Sequence, residues 1–113
     1  MLNRIFCILV CVILQTIVSA QSKAFVSFPS LSPDGKIAYF SYESDIWSVE
    51  LSSGHCSRIT SMQGLESRAK VSPDGKWIAF TSTQFNNADV YLVPSTGGNI
   101  QQLTWSDGAD LVE

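Results

Sequence analysis

The side chains able to do chemistry are few and mostly come in pairs. His55 is the lone histidine, and it directly follows Gly54. A general base needs a nucleophile and an orienting acid within reach, and its counterpart in the second of two similar stretches is Asn99, so it reads as a turn residue. Asp34 and Asp74 offer carboxylates for a metal, but no further acids follow at ligand spacing, and Ser32-Pro33-Asp34-Gly35 and Ser72-Pro73-Asp74-Gly75 each read as a type I turn. Asp45 and Asp89 open matching segments, where bonding to nearby backbone is expected and weak cation binding is the alternative. Ser67-Arg68-Ala69-Lys70 has the Ser-x-x-Lys spacing of penicillin-recognising enzymes, which need it on a helix with partner motifs. Here it falls in an expected strand without those partners, so we read it as coincidence. Trp47 and Tyr91 could stack a ligand, yet equivalence across two copies is also what core packing produces. The sequence contains no Gly-rich phosphate loop, Cys-x-x-Cys pair or Gly-x-Ser-x-Gly elbow, so no cofactor, metal or catalytic residue is assigned.

The elements around these residues repeat. Ser32-Pro33-Asp34-Gly35-Lys36-Ile37-Ala38-Tyr39-Phe40 recurs 40 positions on as Ser72-Pro73-Asp74-Gly75-Lys76-Trp77-Ile78-Ala79-Phe80. Asp45-Ile46-Trp47 answers Asp89-Val90-Tyr91 at a spacing of 44, as Gly54 answers Gly98 and Ile59-Thr60 answers Leu103-Thr104. The extra length falls in Gln84-Phe85-Asn86-Asn87, a loop that can absorb an insertion. A period of roughly 40 to 45 residues made of short strands and turns describes four-stranded propeller blades. The expected fold is therefore all-β: two consecutive four-stranded antiparallel blades of an incomplete β-propeller, over 24–61 and 62–105, with 106–113 opening a third. Within the first blade the expected strands are Ala24 to Pro29, Lys36 to Tyr42, Asp45 to Leu51 and Cys56 to Thr60. The second repeats them from Glu66 to Val71 through Asn99 to Leu103. Runs such as Trp77-Ile78-Ala79-Phe80 are apolar at successive positions, so both faces need cover.

Composition narrows the function. With 15% charged residues, 45% hydrophobic residues and a net charge of −3, the chain is neither disordered nor basic, and no nucleic-acid partner is expected. Residues 1–20 have the parts of a secretory signal: Arg4, an apolar run from Ile5 to Leu14, and Val18-Ser19-Ala20, with cleavage expected between Ala20 and Gln21. That run is shorter than the roughly 20 residues a membrane span needs, so no span is expected after signal removal. Val10 is bulky for a site preceding a lipidated Cys11. The expected location is periplasmic or extracellular. Cleavage removes Cys7 and Cys11 and leaves Cys56 without a disulfide partner. Since Cys56 aligns with Ile100, it is expected to be a buried small hydrophobe.

Asp45-Ile46-Trp47, Ser72 to Thr81, Asp89-Val90-Tyr91-Leu92-Val93-Pro94, Gly97-Gly98, Leu103-Thr104 and Gly108-Ala109-Asp110 together resemble the opening blades of the tricorn-type proteases, over roughly residues 24 to 113. The Ser-Pro-Asp-Gly-Lys signature is also similar to TolB and to prolyl-oligopeptidase relatives. The tricorn resemblance implies an N-terminal six-bladed propeller, a seven-bladed one, and a C-terminal serine protease region with a Ser-His-Ser-Glu catalytic group, none of which maps onto a residue here. It implies a non-catalytic segment that binds or routes peptides to a protease domain. The alternatives are a TolB-like periplasmic module that binds a protein, or the propeller cap of a prolyl-oligopeptidase relative. A third Ser-Pro-Asp-Gly would fall at position 116, so the chain reads as a fragment whose missing blades would cover its open apolar flanks.

Overall fold

The computed structural model describes residues 25–113. The expected signal over 1–20 and its cleavage point at Ala20 and Gln21 lie outside the described residues. Regular structure among the described residues is all strand: β1 (Ser27–Leu31), β2 (Ile37–Tyr42), β3 (Asp45–Glu50), β4 (Cys56–Arg58), β5 (Glu66–Val71), β6 (Trp77–Ser82), β7 (Asp89–Pro94) and β8 (Gln101–Gln102). They form two four-stranded antiparallel sheets, ordered β1-β2-β3-β4 and β5-β6-β7-β8.

Each sheet is a meander built from the same local instructions. In the first turn, Gly35 N–H donates to Ser32 O at 2.9 Å, and Gly75 does the same to Ser72 in the second. Both glycines sit at φ of 71° and 73°, a left-handed bend that lets a type I turn join right-twisted strands. The side chains tighten it. Ser32 and Ser72 donate to the Asp34 and Asp74 carboxylates, which also accept from Lys36 and Lys76 N–H, both at 3.0 Å. The same serine oxygens accept from Ile37 and Trp77 N–H, both at 3.0 Å. These bonds hold both carboxyls below their usual range, the serine hydroxyl contributing most.

Register follows the repeat. Phe40 faces Trp47 and Ala38 faces Val49 in the first sheet, as Phe80 faces Tyr91 and Ile78 faces Val93 in the second. The sheets stack through unlike faces. Tyr39 and Ile46 of the first meet Ile78, Phe80, Tyr91 and Val93 of the second, with Ala69 of β5 between them. Alternation along each strand places these sets on opposite sides of the repeat unit. Phe80 and Tyr91 stack with ring centres 5.8 Å apart. The equivalent Trp47, on the uncovered side of the first sheet, is only half-buried and meets Tyr42 edge-on at 6.0 Å.

Several boundaries differ from expectation, each for a physical reason. The first strand, expected over Ala24 to Pro29 with Ala24 outside the described residues, runs Ser27–Leu31: Phe28 adopts a left-handed φ of 51°, and a register break between Ser27 and Ser30 carries the pairing past Pro29. Lys36 belongs to the turn, so β2 starts at Ile37. β3 stops at Glu50, where Gly54 N–H already donates back to the Glu50 carbonyl at 2.8 Å. β8 shrinks to Gln101–Gln102. Cys56 is exposed, which corrects its expected burial. It pairs with Val49, on the side of the first sheet that no other sheet covers among the described residues, whereas its counterpart Ile100 packs against the core that the first sheet covers.

Candidate functional site

The two turns meet at one end of the stack. Pro33 sits so near Gly75 that a Cβ placed there would lie 3.4 Å from the proline ring. Ser32, Pro33, Asp34, Asp74 and Gly75 line a groove of about 490 Å³ between the sheets, together with hydroxyl side chains such as Ser48, Ser57 and Ser95. Gly35, Ser72 and Pro73 complete the turns without lining the groove. One oxygen of each aspartate is spent on its own turn. With the depressed pKa values just described, the rim is anionic at neutral pH. The groove is open to solvent, and its lining mixes these hydroxyls and carboxylates with the apolar side chains of Ile37, Tyr39 and Ile59.

A second cluster was missed by sequence reasoning and locks the sheets together. Glu66, the first residue of β5, is fully buried. Its backbone N–H donates to Ser44 O at 2.9 Å in the first sheet. Its carboxyl accepts from Thr60 Oγ1 at 3.0 Å and lies 3.5 Å from Ser82 Oγ. Thr60 Oγ1 in turn accepts from Ile46 N–H at 2.9 Å. Asp45 is buried beside it, paired with Arg58 at 2.5 Å. Burial, then a hydrogen bond shared with Asp45, pushes the Glu66 carboxyl up to about 8, so it holds its proton at neutral pH. The second copy rebuilds the motif with different atoms. Val90 N–H donates to Thr104 Oγ1 at 2.9 Å, Gln102 and Thr104 donate to Asp89, and Asp110 N–H donates to Ala88 O at 2.6 Å. Asp89 thus also accepts from a backbone N–H, that of Ser106 at 3.4 Å, whereas Asp45 takes a guanidinium. The signal was available in the spacing of 44 that relates Asp45, Thr60 and Glu66 to Asp89, Thr104 and Asp110.

The remaining candidates separate. His55 is exposed, and its backbone N–H donates to Ser53 Oγ at 3.2 Å. Ser67 and Lys70 flank a register break in a strand, not one face of a helix. Among the described residues no cluster of three or more His, Cys, Asp or Glu could hold a metal ion, and no helix is long and apolar enough to cross a membrane.

Comparison with known proteins gives this architecture a family. Residues 23–113 match the tricorn protease N-terminal beta propeller domain. Tricorn protease homolog 1 of Streptomyces coelicolor is 32% identical over 81 residues, which is 72% of this chain and 7% of that protein. TolB from Acinetobacter baumannii superposes with a TM-score of 0.64 at 30% identity, over 73% of this chain and 22% of that one. The tricorn protease crystal structure superposes with a TM-score of 0.64 at 28% identity, over 72% of this chain and 8% of that one. The chain spans under a quarter of the length of each. Two sheets of one design, stacked by unlike faces and matched over nearly every described residue, make this chain a member of the tricorn protease N-terminal β-propeller family.

Proposed function

We infer that the chain is the non-catalytic opening segment of an exported tricorn-like serine protease, where it binds or routes peptides for a protease region supplied elsewhere. The observation that carries this reading is the groove between the two Ser-Pro-Asp-Gly turns, set in a propeller segment that offers hydroxyls and carboxylates but no nucleophile-base pair. Export rests on the composition of residues 1–20 and places the protein in the periplasm or outside the cell. Further blades of a longer chain would cover the uncovered sides of both sheets. A TolB-like module that binds a protein partner is the second reading, favoured by the superposition on the TolB structure.

The test is to incubate the purified protein with a pool of casein-derived peptides and to measure retention and cleavage separately. Retention without cleavage is expected. Hydrolysis that co-purifies with the chain would refute the non-catalytic assignment, and failure to retain any peptide would favour the TolB-like reading. Gene sequence beyond the codon for Glu113 separates the two further: a protease-encoding region supports the first, a stop after about six blades the second.

A further inference from the structure

Positions 28, 68 and 112 are successive equivalents of the repeat, 40 and 44 residues apart. Phe28, Arg68 and Val112 all line one cavity of about 240 Å³, with Lys70 and Glu113 beside them. Backbone geometry explains the convergence. Phe28 and Arg68 take left-handed φ values of 51° and 58°, each inside a register break, Ser27 to Ser30 in β1 and Ser67 to Lys70 in β5. Such a bulge swings a side chain out of the ladder and re-aims it. Both strands are sheet edges, and β5 packs against β1, β2 and β3 while β8 stands away from the first sheet. The re-aimed side chains therefore collect on the inner rim, where the sheets converge.

Charge at this rim opposes that of the whole chain. The Arg68 guanidinium lies 5.1 Å from the centre of the Phe28 ring, a cation–π distance, and a guanidinium fork is suited to a planar anion. Neither Arg68 nor Lys70 forms an ion pair among the described residues, whereas Arg58 is paired with Asp45 and Lys36 and Lys76 attract the Asp34 and Asp74 carboxylates. Glu113 lines the same cavity, and no salt bridge between it and Arg68 or Lys70 forms among the described residues. Phe28 and Val112 lower the local dielectric, which strengthens attraction for an anion.

We propose that this rim cavity is an anion site that takes the Asp or Glu side chains of an extended acidic peptide, with the Arg68 fork as the reader and Phe28 as its platform. The proposal rests on the peptide-binding reading and names the side-chain class that the propeller selects. It is tested by calorimetry on the intact protein with acetyl-Ala-Ala-Glu-Glu-Ala-Ala amide, the same peptide with Gln for Glu, and inorganic phosphate. The Glu peptide should bind about tenfold tighter than the Gln peptide at low salt, with the advantage shrinking as ionic strength rises. Arg68→Gln should abolish the preference, and Arg68→Lys should keep part of it, because an ammonium retains the charge but not the fork. Circular dichroism establishes that both variants fold. Equal binding of the two peptides, or an unchanged preference in folded Arg68→Gln, overturns the proposal. Phosphate that competes as well as the Glu peptide also overturns it, by making the site a general oxyanion trap. If the casein pool is retained while Glu and Gln peptides bind alike, the anion site alone falls. If the pool is not retained either, the peptide-binding reading falls with it.

Discussion

Replacing Glu66 by Gln isolates the proton that the blade junction holds. The carboxyl ordinarily titrates near 4.5 and is pushed up to about 8 in the folded chain. Because the folded value is the higher one, the unfolded chain releases its proton first as pH rises. The stabilisation is therefore full below 4.5, declines as pH rises from there, and is gone above about 8. The limiting slope is about 1.4 kcal/mol per pH unit, which over that window would reach about 5 kcal/mol. The half-exposed Arg58 head beside Asp45 admits water and screens the cluster, so we expect about 2 kcal/mol to be seen. Glu66→Gln keeps an oxygen for the Thr60 hydroxyl and an N–H toward Asp45 but cannot ionise. Urea titrations at pH 5 and pH 8 should show the wild-type midpoint falling with pH and the variant midpoint nearly constant, so the variant is the more stable at pH 8. Parallel pH profiles for the two proteins, or a Gln variant weaker at pH 8, would refute the account of the junction.

Gly64→Ala should lower stability by about 1–3 kcal/mol in urea unfolding, since Gly64 has φ of 102° and an added Cβ would lie 2.9 Å from the Gln84 backbone nitrogen. Ser72→Ala removes an acceptor from Trp77 N–H and a donor from Asp74, and should cost about 1 kcal/mol, matched by Ser32→Ala because the two turns are built alike. The Asp34 and Asp74 contribution should run opposite in pH to that of Glu66, being present above the usual carboxylate range and lost on acidification. Cys56, exposed on β4, should react with a disulfide reagent in the native protein as fast as after unfolding, whereas protection would return it to the core.

Turn chemistry and period were plain in the sequence because both are local. Ser-Pro-Asp-Gly prescribes its bend through four adjacent residues, and Glu66–Val71 came out with the expected bounds. What escaped depends on neighbours distant in the chain. Cys56 was misplaced because alignment with Ile100 carries hydrophobicity but not which face of each sheet a neighbouring sheet covers. The left-handed Phe28 and Arg68 are invisible to pattern, since neither residue type advertises positive φ. Glu66 reads as a linker acid until Thr60, Asp45 and Ser82 are brought around it from three other parts of the chain.

The small Ala69 between two sheets that elsewhere meet through Phe80 and Tyr91 makes the space between them a wedge, thin toward the strands that converge and thick where the aromatic rings lie. The angle turned per sheet is thus a matter of side-chain volume, and so is the number of sheets that completes a circle. Enlarging the residue at the narrow end would flatten the arc, and trimming the rings would sharpen it, without touching a single hydrogen bond.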